Sequence, residues 1–167
     1  LYTSALYDPR GGHLHPLNYT LGLAAAAAKA GVTLYEDSPV TRLIDGTPAR
    51  VETANGAITA DYVIVAANAY LGRLIPDLAG TIMPVGTYIA ATEPLGENRA
   101  RGLIRDNAAV ADINFVLDYF RLSGDHRMLF GGRVSYSRRD PDNIAAAMGN
   151  SMVRVFPQLA DARVTHA

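Results

Sequence analysis

Tyr62-Val63-Ile64-Val65-Ala66-Ala67 is apolar at nearly every position. A strand with one wet face alternates polar and apolar residues. A run apolar on both sides reads as a strand covered on both faces, hence central and parallel. What precedes it agrees. Pro16 suits the first position of a helix, where its missing N–H is not needed. Residues 17–30 are alanine-rich, with Leu17, Leu21, Ala24, Ala25 and Ala28 at helical spacing on one face. Gly31 is placed to end that helix in the left-handed conformation, and its small face predicts close packing. Short strands are expected at residues 32–35, 40–44, 50–53 and 57–60. Between the last two, Asn55-Gly56 predicts a type I′ hairpin turn. Helix, short strands and an apolar central strand make an α/β pattern, not an all-β one.

Beyond Met83 the texture changes. Residues 88–92 read as a strand and 97–103 as a short charged helix. Residues 115–122 and 127–130 read as paired strands around Ser123-Gly124-Asp125-His126. Asp140 is expected as an N-cap with Pro141 at the first helical position. Ile144, Met148, Met152 and Phe156 then recur with a period near four, and Pro157 closes the helix. Pro76, Gly80 and Pro84 mark a lobe boundary. The expectation is a first lobe over residues 1–80 and a second, α+β lobe over 81–167.

The 167 residues are 49% hydrophobic and 19% charged, the charged share falling below the roughly 25% of an ordinary soluble domain. A net charge of −1 with no basic block argues against a protein that tracks nucleic-acid phosphates. The absence of cysteine removes disulfides, thiolate catalysis and zinc-thiolate sites, and fits a reducing compartment such as the cytoplasm. The longest apolar run, residues 23–28, is far short of the roughly 20 residues that span a bilayer.

Few side chains form a familiar catalytic set. Arg10-Gly11-Gly12-His13-Leu14-His15-Pro16 offers two histidines near Asp8, but no third ligand at defined spacing, so no metal is expected. Ser4/His13/Asp8 and Ser135/His126/Asp140 can be assembled as triads on paper. Neither serine sits on a G-x-S-x-G elbow, which disfavours acyl transfer. Residues 115–122 alternate, with Phe115, Leu117, Tyr119 and Arg121 on one side and Val116, Asp118, Phe120 and Leu122 on the other. A ring, a phenol and a guanidinium in line could bind a substrate apolar at one end and acidic at the other. On the strand alone, a half-buried strand ending in a snorkelling arginine is the favoured account of them.

The ordered set Gly12-His13-Leu14-His15-Pro16, the alanine-rich helix ending at Gly31 and Tyr35-Glu36-Asp37-Ser38-Pro39-Val40 resembles the D-amino-acid-oxidase-like FAD oxidoreductases, which include glycine and sarcosine oxidases. The resemblance continues through Ala66-Ala67-Asn68-Ala69-Tyr70-Leu71, Met83-Pro84-Val85-Gly86-Thr87 and Ala91-Thr92-Glu93-Pro94-Leu95. It ends with Asp118-Tyr119-Phe120-Arg121-Leu122 and Phe130-Gly131-Gly132. In that order the motifs look most like the gamma-glutamylputrescine-oxidising branch of the family.

The resemblance implies part of a Rossmann-like FAD-binding domain followed by an antiparallel-sheet, substrate-binding lobe. It implies FAD contacts at Val40, Ala66, Ala67, Asn68 and Leu71, with Asn68 standing where the family usually has glycine. It places Tyr119, twelve residues before Gly131, toward substrate, with Arg121 or Arg133 available to a carboxylate, and puts His13 and His15 in a loop entering the FAD lobe, where they could contact substrate or flavin. The implied reaction is oxidation of a small-molecule amine or amino acid, with O₂ as acceptor and peroxide as product. Such chemistry asks little of acid–base side chains, because the cofactor carries it. The family's strand–G-x-G-x-x-G–helix unit is not in this sequence. That, with a first residue Leu1 rather than methionine, leads to the expectation of an internal segment of a longer flavoenzyme. The alternative is a non-catalytic binding or assembly module that keeps the substrate-lobe scaffold. A nicotinamide dehydrogenase is disfavoured, since no ribose-binding acid follows a glycine loop.

Overall fold

A computed structural model describes residues 2–137 and 139–167; Leu1 and Arg138 lie outside the described residues. The chain forms two compact units. One joins the residues up to Tyr19 with Val85–Ala167, and the other is Thr20–Pro84. The N-terminal arm therefore groups with the C-terminal residues, whereas the sequence division at residue 80 puts it with the first lobe.

Helix α1 (Pro16–Lys29) runs across the division and is followed by Gly31 at φ 93°, the left-handed stop expected of it. No residue of α1 is buried, so the close packing predicted for its small face is not realised. Its helicity rests on alanine, the residue that loses least on entering a helix. In Thr20–Pro84, strands β1 (Val40–Ile44), β2 (Ala49–Thr53) and β3 (Ala57–Ala60) form an antiparallel meander in the order β1-β2-β3. The β2–β3 turn is not the type I′ turn predicted. The Thr53 N–H donates to the Gly56 carbonyl at 2.8 Å, which leaves Ala54 and Asn55 at its centre, and neither they nor Gly56 has positive φ.

Residues 32–35 and 62–67 carry no strand ladder, against expectation. Both runs have the β-branched composition of strands, but a strand exists only beside another. Among the described residues none lies beside them. Tyr62 and Ile64 are 90% and 92% exposed, so the central parallel strand is absent from this unit. A short 3₁₀ turn (Asn68–Leu71) and helix α2 (Pro76–Ala79) complete it.

The other unit carries a five-stranded sheet in the order β5-β6-β7-β4-β8, antiparallel at every pairing. Its members are β4 (Gly86–Thr92), β5 (Val110–Ala111), β6 (Tyr119–Leu122), β7 (Met128–Ser135) and β8 (Val164–His166). Strand β6 is shorter than the run 115–122 predicted. Helix α3 (Glu97–Leu103) has the predicted bounds. Helix α4 (Ile144–Val155) begins later than Asp140 and Pro141 suggest. Its N-cap is Asn143, whose Oδ1 accepts from the Ala146 N–H at 2.9 Å, while Asp140 accepts from the Tyr88 hydroxyl at 3.0 Å.

One face of this sheet is the core. Phe120 and Phe130 pair across β6 and β7 and stack with centroids 5.6 Å apart, and Phe156 meets Phe120 edge-on at 4.9 Å. Met128, Met148 and Leu159 have no exposed surface, and Met152 has almost none. Buried Thr92 is satisfied by accepting from the Met128 N–H and donating to the Glu93 carbonyl. Truncating Met148 to alanine should therefore cost about 2–5 kcal/mol in equilibrium denaturation of the full-length protein. Asn143→Ala, which removes only the cap, should cost about 0.5–2 kcal/mol.

Candidate active site

The sheet's second face is open, and cross-strand register builds it row by row. Ile89 on β4 pairs with Gly131 on β7, Gly131 with Tyr119 on β6, and Tyr119 with Ala111 on β5. In the next row on that face, Ala91 pairs with Leu129 and Leu129 with Arg121. The intervening row, Ala90–Phe130–Phe120–Val110, faces the core. The burial alternation of β6 follows: Phe120 and Leu122 are buried, Tyr119 and Arg121 half-buried. This is the face assignment predicted for those four residues.

Gly131 shapes the open face. A β-carbon there would lie inside the van der Waals envelope of the Tyr119 ring, against Cε2, Cζ and Cδ2. The tyrosine thus lies flat on bare backbone, and only glycine permits the approach. A cavity of about 240 Å³ results, lined by Ile89, Ala109, Ala111, Tyr119, Arg121 and Leu129, among others. The lining is mostly apolar. Among the described residues, Arg121 has no carboxylate within ion-pair distance, and the Tyr119 hydroxyl has no hydrogen-bond partner.

The N-terminal arm reaches this site. His13 places Nε2 2.7 Å from the Asn107 carbonyl oxygen and Nδ1 3.2 Å from Nη1 of Arg121. The other two residues expected near substrate lie elsewhere. His15 Nδ1 accepts from the Asn18 N–H at 3.2 Å, so it caps the start of α1. Arg133 is the extra residue of a β-bulge at φ 57°, flanked by the pairs Thr87–Val134 and Tyr88–Gly132. Its charge acts on Asp118. Sequence reasoning missed Ile89, Ala109, Leu129 and Asn107. Apolar residues facing a cavity have the same pattern as core residues, and Asn107 contributes only its backbone oxygen.

A second polar group adjoins β6. Asp112 accepts from the Tyr2 hydroxyl, the Asn114 N–H and the Asp118 N–H, each at 3.1 Å, and from the Asn114 amide. Burial works against its ionisation, but these donors outweigh it and hold the carboxyl below its ordinary range. Burial and then the Asp112 charge push Asp118 upward, opposed by Arg154 and Arg133.

The residues expected against FAD lie in Thr20–Pro84. Val40 opens β1 and is exposed, Ala66 and half-buried Ala67 precede the 3₁₀ turn, and Leu71 is buried. Asn68 sits at φ 48° with its Oδ1 accepting from the Ala69 N–H at 2.6 Å. Small side chains and a left-handed residue beside a run without ladder bonds leave main chain accessible. These residues fit the flank of a dinucleotide, and the diphosphate-binding glycine loop is not among them. Among the described residues no group of His, Asp and Glu could hold a metal ion, and no helix is long and apolar enough to cross a membrane.

The five-stranded antiparallel sheet thus carries an apolar cavity with the Arg121 guanidinium among its lining. The comparisons identify the class. The family model described as FAD dependent oxidoreductase matches residues 1–167, and the chain belongs to that family, whose cofactor is FAD. It is 48% identical over 166 residues to gamma-glutamylputrescine oxidoreductase of Escherichia coli (strain K12), covering 99% of this chain and 39% of that protein. Human mitochondrial dimethylglycine dehydrogenase is 35% identical over 103 residues, 58% of this chain and 12% of that protein. The crystal structure of L-proline dehydrogenase from P. horikoshii superposes with a TM-score of 0.68 at 22% identity, covering 90% of this chain and 41% of that one, and shares the fold. The chain thus spans 39% of the length of its first relative.

Two measurements test the polar framework. The Tyr2 phenol is pushed up to about 12 by burial, by its hydrogen bond to Asp112 and by that residue's charge. The folded state therefore retains a proton that the unfolded chain releases. The resulting stability is present below the ordinary value of 10.0 and is lost as pH rises toward about 12. In ultraviolet titration of the full-length protein, Asp112→Asn should bring one tyrosine's ionisation back toward 10.0. Gly131→Ala should displace the Tyr119 ring, seen as a changed near-ultraviolet dichroism band.

Proposed function

We propose that the full-length protein is an FAD-dependent amine or amino-acid oxidoreductase acting on gamma-glutamylputrescine or a related amine that carries a carboxylate. The carrying observation is the cavity itself, an apolar trough with the Tyr119 hydroxyl at one place and the unpaired Arg121 guanidinium at another. The family and the 48% identity to an enzyme named for that substrate support the reading. Val85–Ala167 with the N-terminal arm is assigned as part of the substrate-binding domain, and Thr20–Pro84 as part of the FAD-binding domain. When bound, FAD supplies the two-electron acceptor for the carbon bearing the amine and passes the electrons to O₂, so that imine, then aldehyde, and H₂O₂ are the products.

The chain's own residues hold and orient. Arg121 takes the substrate carboxylate through its planar fork of donors. Tyr119, fixed flat by Gly131, lays an aromatic wall along the carbon chain and offers its hydroxyl to the substrate's polar atoms. Ile89, Ala111 and Leu129 give the substrate's carbon chain apolar contact along that wall. Val40, Ala66, Ala67 and Asn68 flank the dinucleotide, and Leu71 packs behind them. Partners are the small-molecule amine and O₂, with no nucleic acid and no membrane. The lack of cysteine suits the cytoplasm as the place of action.

The test is direct. The full-length protein should show a flavin spectrum that gamma-glutamylputrescine bleaches without air, and should release peroxide in air. A colourless protein that stays inactive after FAD is added would overturn the proposal. Bleaching without O₂ uptake would remove O₂ as acceptor and leave the oxidoreductase reading standing. Arg121→Ala should raise KM about ten- to a hundredfold, the range for a lost charged hydrogen bond. Tyr119→Phe should raise KM less, and neither substitution should alter FAD content.

A further inference from the structure

We propose that His13 is a positioning residue for Arg121, and that its neutral Nε2–H tautomer sets the guanidinium's aim. This rests on the reading of the cavity as the substrate site. The tautomer follows from the partners. A backbone carbonyl can only accept, so at 2.7 Å from the Asn107 oxygen the His13 Nε2 carries the hydrogen. In a neutral imidazole that leaves Nδ1 with its lone pair, and Nδ1 is the atom 3.2 Å from Arg121 Nη1, which can only donate. The two bonds require each other. Asn107 is itself held, at φ 51° with its N–H donating to the Ile104 carbonyl at the end of α3.

Arg121's other bond is a long one, 3.5 Å from Nη1 to the Leu122 carbonyl beside it in the strand. Without His13 the long side chain would keep that contact alone and turn freely about it. A second proton on the ring would occupy Nδ1 and set a cation against the guanidinium, ending the hydrogen bond. The charged and titratable groups about His13 are Arg121 on β6, Arg105 and Asp106 adjoining Asn107, and Asp8, Arg10 and His15 on its own arm. Arg105 and Asp106 are ion-paired with each other at 2.8 Å, and Asp8 with Arg10 at 3.2 Å. Among the described residues no carboxylate is bonded to His13 to hold it charged.

The test uses the full-length FAD-loaded enzyme with two substrates, gamma-glutamylputrescine and an alkylamine of similar length without a carboxylate. Protonation of the reacting amine affects both and cancels in the ratio of their KM values. Relative to the wild type, His13→Ala should shift that ratio about tenfold or more against the carboxylate substrate, the range for a lost charged hydrogen bond, with KM altered far more than kcat. His13→Gln carries a donor and an acceptor side by side, so it should keep the wild-type ratio. Nitrogen NMR of the ring in the wild type should report Nε2–H, and Arg121→Ala should change the Nδ1 signal. The proposal is overturned if Arg121→Ala impairs the carboxylate substrate while His13→Ala does not, or if the NMR shows Nδ1–H. Failure of Arg121→Ala to affect either substrate would instead overturn the site assignment on which it rests.

Discussion

The pairing of Phe120 with Phe130 across β6 and β7 is the constraint on which this molecule's chemistry depends. The two rings stack on the core side, and Phe156 closes over Phe120. Side chains alternate along a strand, so fixing Phe120 inward fixes Tyr119 and Arg121 outward. A register slip of β6 by one residue would turn Phe120 to solvent and bury the guanidinium. The burial of apolar rings thus places the polar groups of the opposite face. The same register sets Tyr119 opposite Gly131, the residue whose missing side chain lets the ring lie down.

Two polar anchors then bring the N-terminal arm to this sheet. Tyr2 donates to Asp112, and His13 bridges the Asn107 carbonyl to Arg121. Exposed hydrogen bonds of this sort contribute little individually, on the order of 1 kcal/mol each. Their effect is on position more than on stability. Asp112 gathers donors from both sides of the loop before β6 and so fixes where that strand begins. The arm belongs with a sheet distant in sequence because both ends of it find acceptors there, the Asp112 carboxylate and the Asn107 carbonyl.

How much of this was legible in the sequence depended on whether a residue's neighbours were near it in the chain. The alternation of residues 119–122, the bounds of α3 and the glycine stop after α1 follow from local rules and are found as read. The cap of α4 was misassigned because Asp140 and Asn143 are both good caps, and Asp140 is taken by Tyr88 from another strand. The turn after β2 failed for a related reason. Pairing Thr53 with Gly56 moves the glycine out of the loop centre. The run 62–67 shows the limit most plainly, since its composition tells of coverage on both faces and cannot supply it. Around the cavity, strand alternation made the outward side of Tyr119 and Arg121 legible, whereas Ile89, Ala109 and Leu129 were not, being apolar and therefore indistinguishable from core.

The separation of tasks has a physical rationale. An oxidised or reduced cofactor needs backbone at close range and few side chains, and under the proposed assignment Ala66, Ala67 and left-handed Asn68 offer that. A substrate with a charged end needs a fixed counter-charge in an otherwise dry trough, and the sheet offers one arginine amid apolar residues. A lone guanidinium on a flexible stem is a poor ruler, because its side-chain entropy is about 2 kcal/mol and any bound carboxylate must first arrest it. Holding the head group before substrate arrives shifts that loss from binding to folding. An imidazole can do so as a neutral acceptor without neutralising the charge that the substrate must meet. A carboxylate in the same place would arrest the arginine equally well and would cancel its attraction for an acid. Histidine at position 13, in the positioning role proposed for it, thus keeps the guanidinium both ordered and able to attract an anion.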